Sequence, residues 1–348
     1  MAWDMLIKDA LSFEPDIKTS TIKSVTCGVG GAGNNTITRL TKMGLKNNKM
    51  ISLNSDRIAL ENNEANVKIV LGQNIIKGRS TGGNIDLGER IADVSRADIY
   101  QQIAGNDLIF VLAGLGGGTG SGSGPVIADI AKNTGSLVVS IVTLPFKAEG
   151  NSRQNIAKLA LERFHKYSHT VIVIDNNKLL QMEPNLPIRT AFSVIDYLIS
   201  DIIESITDTV NIPSMLNIDF SDLNFMMRKG GTSTILYGEG EINNIEGVID
   251  DTLNSKFLDT DIIGASGAIV HVTGGKEMSL KVLKKVVEGI TVNMLDNSEV
   301  KIGARIDNNY TGKLKVTTIL TGISNSGNKN RKGSVYGAAK IDESILVY

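Results

Sequence analysis

The chain has 348 residues, 41% hydrophobic and 21% charged, with 36 Lys and Arg against 37 Asp and Glu; this predicts about two globular domains and excludes an intrinsically disordered chain. A formal net charge of -1 excludes a broad basic nucleic-acid surface, and the single cysteine, Cys27, excludes an internal disulfide and a cysteine-based zinc cluster, which fits a cytoplasmic setting. No apolar run approaches the ~20 residues of a membrane span, and Asp4, Asp9, Glu14 and Asp16 break any signal-peptide layout.

Within an N-terminal extension, 1–21, Met5, Leu6, Ala10, Leu11 and Phe13 share one face of a short helix that Pro15 closes. From Ile22 onward, short Val- and Ile-rich runs alternate with amphipathic stretches of helical spacing, which predicts βαβ units and a parallel sheet: an α/β, Rossmann-like domain over 22–185. Strands are expected near 22–28, 49–53, 67–71, 107–112, 136–142 and 170–174. Helices are expected near 34–44, 86–103, 121–134 and 150–168, with Gly44, Gly105 and Gly135 as C-terminal caps. Phe192, Ile195, Leu198, Ile199, Ile202 and Ile206 then fall at helical spacing in one long connecting helix within 186–210. A second α/β domain over 211–323 has strand-like runs near 233–238, 267–273, 299–306 and 313–321, and helices near 219–228, 244–254 and 279–290. Residues 324–348 read as a flexible tail with an apolar terminus, Ile345, Leu346 and Val347.

The first glycine loop, Gly28 to Asn35, follows a strand and opens a helix, so it aims backbone N–H groups and the positive helix end at a phosphate. Alone it also fits the G-x-G-x-x-G turn of an NAD-binding oxidoreductase, with Asp56 as ribose acid, or a tight turn with no ligand. A second loop, Gly114 to Gly122, repeats the strand-to-helix arrangement, and two cradles imply a polyphosphate held from two sides. Ser80, Thr81, Gly82, Gly83 and Asn84 form a third small-residue turn suited to a terminal phosphate. The P-loop pattern G-x-x-x-x-G-K-[ST] is missing, so main-chain dipoles and a metal ion are left to neutralise the charge.

These loops, together with Val142 to Arg153, Asn217 to Asp222 and the run Gly116-Gly117-Gly118-Thr119-Gly120-Ser121-Gly122, resemble FtsZ, the prokaryotic relative of tubulin that forms the cytokinetic ring. The resemblance extends from about Ile22 to Ile323. It implies the tubulin/FtsZ fold, with a GTP-binding domain, a connecting helix and a C-terminal GTPase-activating domain. It further implies GTP and GDP as ligands with Mg²⁺, head-to-tail self-assembly, and a cytoplasmic protein at the mid-cell division site. Membrane-anchor or division proteins are the partners expected at the tail; neither nucleic acid nor a direct membrane span is expected. Residue by residue, Gly30, Gly31, Ala32, Gly33, Asn34 and Asn35 would line the α-phosphate and base side. Gly116, Gly117, Gly118, Thr119, Gly120, Ser121 and Gly122 would wrap the phosphates, and Thr81, Gly82, Gly83 and Asn84 would face the γ-phosphate. Glu149 and Arg153 match positions near the ribose and phosphates, although an exposed i, i+4 ion pair explains them as well. Asp196 suits guanine, whose N1–H and N2–H both donate to a carboxylate. Phe192, one helical turn away, is either a stacking partner for the base or a core residue. Asp175-Asn176-Asn177-Lys178 departs from the family's usual Pro-Asn-Asp-Arg/Lys, which keeps Asn176 as a contact but replaces an acid by Asn177.

Asp219 and Asp222 are placed by the resemblance at catalysis, with Asn217 positioning the loop, while the spacing by itself more often describes a helix N-cap. If Asp196 meets the base near the start of the connecting helix, the acids lie ~20 to 30 Å away at 1.5 Å per residue. They therefore reach a phosphate only from a neighbouring molecule, a heterologous contact that generates filaments. An oxidoreductase would instead need a catalytic His or a Tyr/Lys set near its substrate, and His165, His169 and His271 read more simply as surface or core residues. Other open readings are a filament for cell shape or plasmid partition, and a scaffold that holds GTP without hydrolysing it.

Overall fold

The computed structural model describes residues 22–45, 48–211, 216, 218–228, 232–254, 265–292, 294 and 297–323. The expected N-terminal helix, Asn217 and the tail lie outside these residues. A six-stranded parallel sheet has the order β3-β2-β1-β4-β5-β6, formed by β1 (Ser24–Val29), β2 (Asn48–Asn54), β3 (Val67–Val70), β4 (Leu108–Gly114), β5 (Leu137–Leu144) and β6 (Thr170–Asp175). Both faces are covered, which is why the strands are near-continuous apolar runs rather than alternating ones. Phe110 and Leu112 face a cluster containing Ile37 and Leu40 of α1 (Gly30–Met43). Val111 and Ile109 face the other side, with Val126 and Ile127 of α6 (Gly118–Asn133).

Two expected helices begin earlier than their apolar pattern does. The helix expected over 34–44 starts at Gly30, and that over 121–134 starts at Gly118. Glycine is a poor helix former, so the first turns of both read as loops in the sequence, yet close packing demands it there. A Cβ at Gly33 would stand 2.5 Å from the Leu112 carbonyl oxygen, and one at Gly120 would stand 2.5 Å from that of Gly114. The stretch expected as one helix over 86–103 is two, α4 (Ile85–Val94) and α5 (Arg96–Ile103), broken at Ser95. The Ser95 hydroxyl donates to Ile91 O and accepts from Gly72 N, competing with the helical ladder. Three short helices went unseen: α2 (Arg57–Glu61), α3 (Gln73–Ile76) and α8 (Asn176–Met182). The remaining helix of this layer, α7 (Asn151–Tyr167), packs on α6.

The connecting helix, α9 (Ile188–Asn211), is 24 residues long and therefore about 36 Å. Ile195, Ile199, Ile202, Ile203 and Ile206 are buried in one cluster with Leu223, Met226 and Met227 of α10 (Phe220–Arg228), and with Ile235, Ile269 and Ile319 of the second sheet. Each such isoleucine contributes about 2 kcal/mol by leaving water, so α9 is the shared core of both halves. That second sheet has the order β7-β10-β8-β9, with β7 (Thr232–Glu241), β8 (Gly267–Gly274), β9 (Glu299–Ile306) and β10 (Lys313–Ile323). Helices α11 (Ile245–Leu253) and α12 (Leu280–Thr291) cover it; Leu283, Val286, Val287 and Ile290 bury the i, i+3, i+4, i+7 stripe of α12.

Candidate functional site

Strands β1 and β4 are neighbours, but their following helices leave to opposite faces, so a crevice opens at the carboxyl ends between them. Both helices that start there, α1 and α6, lack a side-chain cap. Their first N–H groups and positive dipole ends are left for a ligand, and two such termini converging on one crevice suit an elongated anion.

The crevice is a cavity of about 1020 Å³, at the upper end of small-ligand sites. Gly31, Ala32, Asn35, Thr81, Gly82, Gly83, Gly116, Gly117, Gly118, Thr119, Gly120, Glu149, Arg153, Asn176, Phe192 and Asp196, all anticipated, line it. Gly31 and Gly117 carry a specific signal. Neither has a positive φ, and a Cβ on either would meet no atom within 4 Å, so nothing in the protein requires glycine at those positions. A ligand that approaches the main chain would. Gly82 and Gly83 differ, being glycine because φ is +60° and +85°. At the same end, buried hydroxyls form a chain: Ser55 Oγ lies 3.0 Å from Thr119 Oγ1, which lies 3.1 Å from Thr81 Oγ1.

At the other end Asp196 is 2% exposed; it accepts from Thr36 Oγ1 at 2.7 Å and pairs with Arg39. Thr36 and Arg39 were not anticipated. They sit one and four residues beyond Asn35 on α1, where they read as an ordinary polar face. Phe146, also missed, meets Phe192 edge to face with ring centroids 6.4 Å apart, forming an aromatic wall. Glu149 Oε1 accepts from Phe146 N at 2.8 Å while Oε2 accepts from Arg153 at 2.5 Å. The i, i+4 ion pair weighed from sequence therefore exists, and it borders the cavity. Asn176 Oδ1 is buried with no hydrogen-bond partner among the described residues, an acceptor awaiting a ligand donor. Asn177 is used differently. It donates to Pro145 O at 3.2 Å and accepts from Lys147 N at 2.8 Å, fixing the turn that carries Phe146.

Gly30, Gly33, Asn34, Asn84, Ser121 and Gly122, expected as contacts, do not line the cavity; they stand behind it. With its amide nitrogen toward β1, Asn34 donates to Gly28 O at 2.8 Å and accepts from Asn54, which locks the β1–α1 turn. Asn84 caps α4 by accepting from Leu87 N at 2.9 Å, and Ser121 Oγ accepts from Gly116 N at 2.9 Å. Asp56, the acid an oxidoreductase would place on a ribose, lines the cavity but caps α2 through Ala59 N. None of His165, His169 and His271 lines it. Cys27 is buried and its thiol is pushed up to about 12, desolvation being the main cause.

Asp219 and Asp222 are not at the cavity either. Asp219 Oδ1 accepts from Asp222 N at 2.7 Å, so it does cap α10, and Asp222 Oδ1 pairs with Lys301 at 3.0 Å. From Asp196 to Asn211 the rigid helix α9 alone runs about 22 Å. Among the described residues no three His, Cys, Asp or Glu side chains form a metal-binding group. This donor set does not make a protein cage for Mg²⁺; the Thr81 and Thr119 hydroxyls, Asn54 and Asp56 are among the oxygen-bearing side chains near the phosphate-suited end.

The Tubulin/FtsZ family GTPase domain matches residues 23–184, and the FtsZ family C-terminal domain matches residues 231–324. The chain is 40% identical over 327 residues to Cell division protein FtsZ 2 of Methanocaldococcus jannaschii, covering 91% of this chain and 86% of that protein. It is also 40% identical over 303 residues to Cell division protein FtsZ 2 of Haloferax volcanii, covering 87% and 76%. An empty FtsZ dimer from M. jannaschii superposes with a TM-score of 0.79 at 35% identity, covering 98% of this chain and 100% of that one. The GTPγS-bound CetZ2 protofilament of H. volcanii, at 21% identity, has a TM-score of 0.76 over 88% of this chain and 95% of that one, and so shares the fold. With a glycine-lined crevice on a 3-2-1-4-5-6 sheet, matching GTPase and C-terminal domains and 40% identity over nearly its whole length, the chain belongs to the FtsZ family of tubulin-like GTPases.

Proposed function

We propose that this GTPase assembles head to tail into filaments of the cell-division ring and hydrolyses GTP at the junctions between subunits. The triphosphate lies across the uncapped starts of α1 and α6, with Gly31 and Gly117 under it and Thr81, Gly82 and Gly83 at the γ-phosphate. Guanine lies against the wall formed by Phe192 and Phe146 with its N1–H and N2–H on Asp196, and Asn35 donates to O6. Asn176 accepts from the ribose. Asp219 and Asp222 of the next molecule orient and deprotonate the attacking water, with Asn217 holding their loop. Mg²⁺, held by phosphate oxygens and water, would offset phosphate charge. The tail, with Ile345, Leu346 and Val347, would recruit a membrane-anchor or division protein to a cytoplasmic ring at mid-cell.

The observation that carries this reading is that Asp219 and Asp222 do not line the cavity and follow the end of α9, which runs about 22 Å from Asp196 to Asn211. A chain that hydrolyses GTP with both carboxylates at its far end needs a second copy to bring them in. A relative solved as a dimer, FtsZ of M. jannaschii, supports self-association. The test is complementation. Asp219→Ala binds GTP but does not turn it over, and a cavity-defective Gly118→Val chain does neither. Mixed, they recover phosphate release at hybrid junctions. Full-rate hydrolysis by a dilute, strictly monomeric sample refutes the shared site.

A further inference from the structure

Strand β9 is an edge strand of the second sheet, and the segment carrying the two acids is built against it. Leu216 and Ala304 exchange backbone hydrogen bonds of 3.3 and 3.2 Å across an isolated antiparallel bridge. Two residues later Ile218, 3% exposed, packs where a side chain on Gly303 would stand: a Cβ there would come within 2.9 Å of it. Lys301 shares that strand face with Gly303, the side-chain period being two, and its Nζ lies 3.0 Å from Asp222 Oδ1. Arg305, the next residue on the face, lies 3.5 Å from Asp208 near the end of α9. One strand face therefore holds the end of the connecting helix and the acid segment in register.

We infer that Lys301 is a positioning residue of the shared reaction centre: its ammonium fixes Asp222 through Oδ1, leaves Oδ2 for the water, and offsets carboxylate charge where the acids meet a neighbour's triphosphate. The inference rests on the junction mechanism proposed above. The ammonium meets Asp222 at Oδ1, and the Asp222 side chain is still 33% exposed, so solvent reaches the carboxylate. The electrostatic need is plain in the cavity, where both bordering guanidiniums, Arg39 and Arg153, are engaged by Asp196 and Glu149. Two uncompensated carboxylates brought to a triphosphate would repel it, and like charges brought together at an interface cost affinity. Lys301 itself is held above its ordinary range by its hydrogen bond to Asp222, with Glu299 and Asp219 adding to the effect. It stays charged wherever the protein is folded at neutral pH.

Lys301→Met keeps an unbranched side chain close to the same length and removes the charge; Lys301→Arg keeps the charge. Both are made in the full chain beside Asp219→Ala. Three quantities are read: affinity of dilute protein for a fluorescent GTP analogue, phosphate release per sedimented subunit, and the salt dependence of assembly. For Lys301→Met, release per assembled subunit falls roughly tenfold at unchanged nucleotide affinity, and assembly becomes more sensitive to salt. Lys301→Arg stays within about threefold of the native chain. If Lys301→Met does not sediment alone, it is copolymerised with native protein, whose release then falls in proportion to the variant fraction. Native release from Lys301→Met polymers, or equal losses for Met and Arg, overturns the inference. When Asp219→Ala is dead and Lys301→Met is native, only the role of Lys301 fails; when Asp219→Ala keeps full turnover, the junction mechanism fails with it.

Discussion

Replacing Asp196 by Asn isolates the base end of the site. The carboxylate is 2% exposed, and its oxygens already accept from Thr36 Oγ1 at 2.7 Å and from Arg39. Each oxygen keeps a further lone pair, and these two are what guanine N1–H and N2–H require. An asparagine offers one acceptor and one NH₂, so its nitrogen opposes either the Arg39 guanidinium or the guanine amino group, a donor against a donor. At least one charge-assisted hydrogen bond is lost, about 1.5–3 kcal/mol, which predicts GTP affinity weaker by about 10- to 150-fold. ATP affinity should hold or rise, because adenine presents an N1 acceptor that the new NH₂ can meet. Calorimetric titration of dilute protein with GTP and with ATP measures both, and a thermal scan shows that the variant is folded. An Asp196→Asn chain whose GTP affinity is within threefold of native, with an unchanged GTP to ATP ratio, refutes the assignment of this carboxylate to the base.

Gly31→Ala and Gly117→Ala should melt with the native chain and bind GTP at least about tenfold more weakly, since their methyls enter only ligand space. Gly33→Ala, whose Cβ would stand 2.5 Å from Leu112 O, should instead lose about 1–3 kcal/mol of stability in denaturant titrations. Asp219→Asn retains the cap on α10 and should melt within a degree or so of native, whereas Asp219→Ala loses about 1 kcal/mol, or about 2–4 °C. Both should lose phosphate release by about 10²- to 10⁴-fold, and native release from Asp219→Asn would reduce this residue to a cap. His271 is 7% exposed and is held down to about 4, chiefly by desolvation, with Arg305 and Lys315 adding to it. Its imidazole is neutral in the fold while the unfolded chain takes up a proton below about 6.5. Stability tied to it is therefore full above that pH and lost as pH falls toward 4, by at most about 3 kcal/mol. Urea midpoints at pH 7.5 and 4.5 should show a smaller acid loss in His271→Gln than in the native chain; equal losses would discharge the residue.

The parallel sheet was legible because strands buried on both faces, such as Leu108–Gly114 and Leu137–Leu144, read as unbroken apolar runs. Helix starts were not, since Gly30–Gly33 and Gly118–Gly124 suppress the periodic signal where packing is tightest. Adjacent asparagines show a second limit. Asn34 and Asn35 are both polar and both next to the glycines, but successive helical residues point about 100° apart. One locks β1 while the other faces the cavity, and only the packing of α1 on the sheet decides which. Phe146 was hidden for another reason: its place depends on Asn177 and Glu149, partners 31 and 3 residues away in the chain. Arg39 could have been found, lying four residues after Asn35 on the same helical face.

A chain of net charge -1 that binds a triphosphate sets an electrostatic problem, and the structure distributes the answer. The cavity does not solve it with free side-chain cations, since Arg39 and Arg153 each face a carboxylate. In the proposed binding mode it relies on main-chain N–H groups at two helix starts, which would leave the site written in glycine and silent in the charge balance. Main-chain dipoles hold phosphate well in the ground state, but they carry no net charge to meet what develops when the γ-phosphoryl group leaves. Beside the Mg²⁺ proposed above, a protein cation at the γ-phosphate is left to a neighbouring molecule. Beyond the far end of α9, Asp222 is already paired with Lys301, so under the proposed junction mechanism a neighbour that delivers the carboxylates for water would deliver with them a positive charge that its own cavity does not use for binding.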